Sequence, residues 1–186
     1  GGGGKRGGTV RCGGGTPTTL PAPQLDPLRG GLADHIDLSG CTEYTVGAGR
    51  PDTNTAEKLA VLARRGCSRV SVNPQTMQDA VLERMGRAHR ADDILRAYAL
   101  ARASGIGCIN MDLIAGLPGD SAAGFRASLE QVLALGPENV TVHTLALKKG
   151  FRTMEEGGGL PSGPAVDGVL DLAWADLRAA GRGPYY

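Results

Sequence analysis

Residues 108–120 read CINMDLIAGLPGD, and the fold turns on this stretch. Residues 108–114 form a mainly apolar run of strand length that carries two polar side chains, Asn110 and Asp112. Gly116, Pro118 and Gly119 then build a sharp turn, after which Asp120 or Ser121 can cap a helix. A strand that leads through a tight turn into a helix is half of a crossover connection, and crossovers are what parallel sheets require.

The same unit recurs on both sides. Strands are predicted at 9–12, 43–46, 69–73, 108–114 and 139–144. Helices are predicted between them at 23–35, 55–65, 77–85, 91–104 and 121–135, with a last one at 165–180. Asn54 and Glu57 have capping-box spacing, and Gly66, Gly105 and Gly136 follow apolar-periodic runs as C-terminal caps do. Leu59, Leu62 and Ala63 mark one apolar helix face; Ile94, Ala97, Tyr98 and Ala101 mark another. The pattern is that of an α/β chain whose parallel strands form either an open doubly wound sheet or part of a (β/α) barrel. Residues 1–8 are glycine-rich and expected to be flexible, leaving 9–186 as the folded part.

Composition narrows the function classes. With 20 Lys and Arg against 19 Asp and Glu, the formal net charge is +1, and no basic block suggests a nucleic-acid partner. No apolar run approaches the length of a membrane span, so no membrane partner is expected. Cys12, Cys41, Cys67 and Cys108 are too dispersed for a zinc pair or a clustered iron–sulfur motif, so no metal site is expected. They read as reduced, mostly buried thiols of a cytosolic, hence cytoplasmic, protein.

The unusual residues fall just after strands, at 13–17, 47–52, 74–76, 116–120 and 144–148. In a parallel sheet that is the C-terminal rim, where ligands bind. Gly13-Gly14-Gly15-Thr16-Pro17-Thr18 is either a plain glycine turn or a loop that would offer backbone carbonyls and the Thr16 hydroxyl to a ligand ammonium group, and it lacks the Gly-Lys-Ser/Thr ending of a phosphate loop. Asp112 needs a partner or a ligand, because an unpaired carboxylate among apolar neighbours is costly. Gln75, at a strand end, can donate to and accept from a ribose or a carboxylate. Arg87 offers a fork for a carboxylate or is a solvated helix-end charge, and His89 reads as a surface or capping residue. His143 is either a proton donor to substrate or a hydrogen-bonded core histidine. Lys148, Lys149 and Arg152 can pair with substrate carboxylates or simply be solvated.

Five stretches, in this order, carry a family resemblance: 13–20, 43–53 (EYTVGAGRPDT), 69–89 (RVSVNPQTM…GRAH), 109–120 (INMDLIAGLPGD) and 140–148 (VTVHTLALK). The closing Gly183-Pro184-Tyr185-Tyr186 fits the same pattern. The chain resembles the radical S-adenosylmethionine (SAM) family that contains oxygen-independent coproporphyrinogen III oxidase, and within it the coproporphyrinogen dehydrogenase branch. The resemblance implies a partial (β/α) barrel, a [4Fe–4S] cluster, SAM, and a tetrapyrrole substrate. It implies that a 5′-deoxyadenosyl radical takes hydrogen from a porphyrinogen propionate, which loses CO₂ to leave a vinyl group. Carried over by motif, Gly14, Gly15 and Thr16 match the loop that receives the SAM ammonium; Gln75, Arg87 and Asp112 match SAM-contacting positions; Thr144 falls near an adenosine-lining position. No residue is assigned to catalysis.

Two departures stand out. The family's C-x-x-x-C-x-x-C loop should precede the glycine loop, where this chain has only a glycine-rich run without Met at position 1. The expectation is therefore a piece of a longer enzyme, inactive alone. Gly47 stands where the family usually carries a Glu that contacts the ribose. The same scaffold also serves haem chaperones, and a degenerate non-catalytic remnant is a third reading; EYTV…AGRPDT and VHTLALK favour the dehydrogenase branch.

Overall fold

Five strands alternate with seven helices among the described residues: β1 (Thr9–Cys12), α1 (Ala22–Leu25), α2 (Leu28–Ala33), β2 (Glu43–Gly47), α3 (Ala56–Arg64), β3 (Arg69–Gln75), α4 (Asp79–Arg84), α5 (Ala91–Ala103), β4 (Cys108–Ala115), α6 (Ala122–Leu135), β5 (Asn139–Thr144) and α7 (Gly163–Ala179). This computed structural model describes residues 8–13, 15–35, 37–145 and 163–183. The strands form one sheet in the order β1-β2-β3-β4-β5, with β1 parallel to β2 and β2 parallel to β3. Spatial order that follows chain order belongs to a barrel wall, whereas a doubly wound sheet reverses its order at a switch point. The partial-barrel alternative therefore stands.

The described residues of Gly1–Asn73 and Asp92–Asn110 form one compact unit, and those of Pro74–Ala91 and Met111–Tyr186 form a second. In the first unit, strand alternation separates two chemistries. Tyr44, Val46, Val70, Val72 and Ile109 are buried on one face. On the other face, Arg69 donates to Glu43 Oε2 at 3.3 Å and to Asn110 Oδ1 at 3.1 Å. Asn110 Nδ2 donates to Ser71 at 3.0 Å, and Thr45 donates to Glu43 Oε1 at 2.8 Å. Parallel strands covered by apolar layers on both faces read as unbroken hydrophobic runs. This sheet has one apolar face and one polar face.

The helices follow their caps. Thr55, not Asn54, caps α3 by accepting from Lys58 N at 3.3 Å, because the Asn54 amide is buried and donates to Ala48 O at 3.0 Å. Ser121 caps α6 through Gly124 N at 3.0 Å, and Gly66, Gly105 and Gly136 take the left-handed conformation expected of C-terminal caps. The predicted helix 23–35 is two short pieces, because Pro27 has no N–H and its ring blocks a continuous helix. Ala22 and Leu25 of α1 pack with Val61 of α3, a residue outside the predicted stripe. Ile94, Ala97, Tyr98 and Ala101 are all buried along α5.

In the second unit, α6 buries Phe125, Leu129 and Val132, and α7 buries Val169 and Ala173. Arg126 joins these two helices through Asp176 at 3.1 Å. All four cysteines are free thiols, but only Cys67 is buried; Cys12, Cys41 and Cys108 are half-buried, so the expectation of mostly buried thiols is too strong. Among the described residues no helix is long and apolar enough to cross a membrane.

Candidate cofactor-binding site

In the first unit, the glycine loop follows β1 directly. Gly13 and Gly15 are exposed, and a Cβ placed on Gly15 would meet nothing within 4 Å. Gly14 lies outside the described residues. The Thr16 carbonyl accepts from Thr19 N at 2.9 Å and from the Thr19 hydroxyl at 2.7 Å, so it is spent inside the loop rather than offered to a ligand. The Thr16 hydroxyl has no hydrogen bond among the described residues, and remains available. Lys58 Nζ ties the loop down by donating to Thr18 O at 2.6 Å and Thr53 O at 3.2 Å. The Thr18 and Thr53 hydroxyls add a bond at 2.8 Å. Nothing in the sequence around Lys58 singles it out for this anchoring.

At the ends of β2 and β3 in the same unit, the polar side chains stop pairing. Asn54 Oδ1 and Asn73 Oδ1 are buried with no hydrogen-bond partner. Gly47 is half-buried, and a Cβ there would meet Cys12 O at 3.5 Å, Pro17 Cδ at 3.7 Å and Gly13 Cα at 3.9 Å, which is ordinary contact. The position has room for a side chain.

In the second unit, Gln75 closes β3 with φ of 65°, the one left-handed non-glycine residue among those described. A side chain in that region costs roughly 1–2 kcal/mol, and such strain persists where neighbouring structure enforces it. The enforcing contacts come from the next three residues. Met77 N donates to Ser128 Oγ at 3.1 Å, and the Thr76 and Ser128 hydroxyls are 3.2 Å apart. Gln78 Nε2 donates to Asp120 Oδ1 at 2.6 Å. Gly124 makes room for that bridge, since a Cβ there would fall 2.3 Å from Gln78 Nε2. The strained residue carries an unanswered acceptor: Gln75 Oε1 is buried without a partner.

Asp112 is buried as expected, and His143 Nε2 stands 3.9 Å from its Oδ2, an ion pair when the imidazole is protonated. The His143 side chain is 55% exposed, so the core-histidine alternative fails. Thr144 is exposed at the end of β5. Arg87 is exposed just past α4, where its N–H donates to Leu82 O at 2.9 Å, and makes no ion pair among the described residues. His89 is buried, not on the surface. Of the expected residues, Asp112 and His143 come together; Gln75, Arg87 and Thr144 share no hydrogen bond. Lys148, Lys149 and Arg152 lie outside the described residues.

Gln75 leaves an enclosed acceptor open to a ligand donor, as a polar ligand such as SAM could supply. The side chains do not fit an iron–sulfur cluster. Among the described residues no three Cys, His, Asp or Glu side chains stand close enough to hold a metal. Burial also pushes the Cys67 thiol up to about 11, which disfavours the thiolate a metal needs.

The chain is similar to known proteins. The profile of the Radical SAM superfamily matches residues 3–132. The oxygen-independent coproporphyrinogen-III oxidase-like protein HemZ of Bacillus subtilis is 44% identical over 142 residues, which are 76% of this chain and 28% of that protein. The haem chaperone HemW of the same organism is 37% identical over 144 residues, covering 75% of this chain and 37% of HemW. Coproporphyrinogen III oxidase (HemN) of Escherichia coli has a solved structure that matches with a TM-score of 0.78 at 25% identity, over 94% of this chain and 41% of that one. The chain thus spans well under half the length of these relatives.

Proposed function

The chain belongs to the radical SAM superfamily, whose cofactors are SAM and a [4Fe–4S] cluster, and on that premise we propose that it is a SAM-binding portion of a tetrapyrrole-modifying enzyme. The observation that carries the proposal is Gln75: a strained backbone and an unpaired, enclosed amide oxygen at the end of a parallel strand. Holding a residue there costs free energy, and strain of this kind gathers at ligand sites.

In this reading, Gly14, Gly15 and Thr16 receive the ammonium group of SAM; the Thr16 hydroxyl contributes, and its carbonyl does not. Taken by itself, the second unit offers Gln75, Asp112 and Thr144 as SAM-contacting residues, and His143 Nε2 stands 3.9 Å from Asp112 Oδ2. Arg87 takes a carboxylate. SAM supplies an alkyl radical when it is reductively cleaved, and the described residues bring no ligands for the cluster that would deliver the electron. This chain's own work is therefore to bind and orient. Calorimetric titration of the 186-residue chain with S-adenosylhomocysteine tests it. Saturable binding, weakened at least tenfold by Gln75→Ala, is expected; no heat at millimolar ligand overturns the proposal.

For the longer enzyme, the substrate class inferred is a porphyrinogen whose propionates are oxidatively decarboxylated to vinyl groups, in the cytoplasm. The 44% identity to HemZ supports this. The match to a haem chaperone at 37% identity supports a second reading, haem binding on the same scaffold. The two separate spectroscopically. Quenching of coproporphyrin III fluorescence without a haem Soret shift supports the oxidase reading, and the reverse supports the chaperone.

A further inference from the structure

In the second unit, the end of β5 carries an imidazole for which SAM binding has no use. The His143 side chain is 55% exposed, whereas that of Asp112, 3.9 Å away, is 12% exposed. The contact uses Nε2 of the ring, and among the described residues His143 has no other polar partner. A protonated imidazole has two N–H donors. Asp112 takes one from the buried side, and Nδ1 keeps the other.

The strand face around this couple is apolar and open. Leu145 N donates to Ala115 O at 3.3 Å, so β5 stays joined to β4 past its last strand residue. Alternation puts Leu145 on the side of His143, and Ile114 on the side of Asp112. Leu145 is exposed and Ile114 is half-buried, while Met111 and Leu113, on the opposite side of β4, are completely buried. An imidazole backed by an acid and flanked by open apolar side chains suits a ligand with an apolar body and an acidic edge. A carboxylate gains a charge-assisted bond from Nδ1–H, a hydroxyl forgoes the charge, and a cation is repelled.

We propose that His143, backed by Asp112, binds a carboxylate of the tetrapyrrole substrate, with Ile114 and Leu145 against its apolar ring. This rests on the tetrapyrrole reading above. SAM also carries a carboxylate, and the two sources separate by titration.

The intact chain is titrated with coproporphyrin III, whose propionates are free, and with its methyl ester, whose propionates are capped, by fluorescence quenching. Calorimetric titration with S-adenosylhomocysteine supplies the cofactor carboxylate. His143→Gln is expected to lose about tenfold in affinity for coproporphyrin III and less than twofold for the ester and for S-adenosylhomocysteine. His143→Lys, which keeps a cation, should recover part of the loss. Leu145→Ser should weaken acid and ester alike, by about threefold. In an Asp112→Asn background the His143→Gln loss should shrink, because the couple acts as one. Thermal melts of each variant confirm folding. Equal losses for acid and ester, no loss, or a loss confined to S-adenosylhomocysteine overturns the assignment of His143 and leaves the functional reading standing. A chain that binds S-adenosylhomocysteine and neither porphyrin overturns the assignment together with the tetrapyrrole reading. A chain that binds none of the three overturns the SAM reading as well.

Discussion

Two ends of the same polar sheet face differ in one respect. Near the strand starts, Arg69 sits between Glu43 and Asn110, Asn110 reaches Ser71, and Thr45 reaches Glu43. At the strand ends, Asn73 and Asn54 each leave a buried oxygen without a donor, and Gly47 offers no side chain at all. Residue types are similar at both ends, so polarity alone does not separate structure from function. Saturation does at this face: the groups near the strand starts answer one another and hold the sheet, while Asn73 and Asn54 each keep an acceptor open.

The sharpest way to break this contrast is to remove the hub of the saturated end. The Arg69 side chain is only 12% exposed, and its loss strips a charge partner from Glu43 and a donor from Asn110. Arg69→Ala should cost about 3 kcal/mol, at the low end for breaking a buried pair because Glu43 is 28% exposed. Urea denaturation measures this, and S-adenosylhomocysteine affinity should change far less than in Gln75→Ala. A loss under 1 kcal/mol would mean the network is ornamental.

Cys67 reports whether the saturated end is dry. It precedes β3 and its thiol donates to Arg69 O at 3.1 Å. Burial, the largest cause, pushes the thiol up to about 11. Its folded pKa lies above the unfolded one, so the stability it contributes is full below about pH 9 and is lost as pH rises through about 11. The difference between the chain and Cys67→Ala should therefore shift by about 2 kcal/mol between pH 8 and 11. A pH-independent difference would show that water reaches the thiol.

Gln75 carries the contrast into the second unit, where strain accompanies the unanswered group. Gln75→Gly frees a left-handed backbone and should raise stability by about 1 kcal/mol, while S-adenosylhomocysteine affinity falls about tenfold. Opposite signs are the signature of a residue kept for binding. A variant that gains stability and keeps its affinity would assign the strain to the turn alone.

The sequence shows the first half of this contrast better than the second. All five strands are legible because short apolar runs and the glycine stops after helices are local signals. The α3 cap moved by one residue because a tertiary bond to Ala48 O claims Asn54, and no local pattern records it. Pro27 could have warned that 23–35 is not one helix. Asn73 stood in plain view beside Gln75, yet its lack of a partner depends on what adjacent strands bring opposite it, and register is not written in either strand alone. The same holds for Ser128, which holds Met77, in the turn after Gln75, from 51 residues away, and for buried His89, whose sequence context suggests a surface or capping residue.

The smallest effect tests the empty position. A Cβ at Gly47 meets only ordinary contacts, so Gly47→Glu should fold with a stability change of about 0.5 kcal/mol or less. Its carboxylate would reach toward the space beside the glycine loop and accept from a ligand donor there. S-adenosylhomocysteine should bind several-fold tighter, and Asn73→Ala should cost less in the Gly47→Glu background than in the unaltered chain. That non-additivity is the point of the experiment, because two groups serving one part of a ligand cannot both deliver their full effect. Strict additivity would place them at different parts of the ligand, and the open end of the sheet would then be answering more than one group.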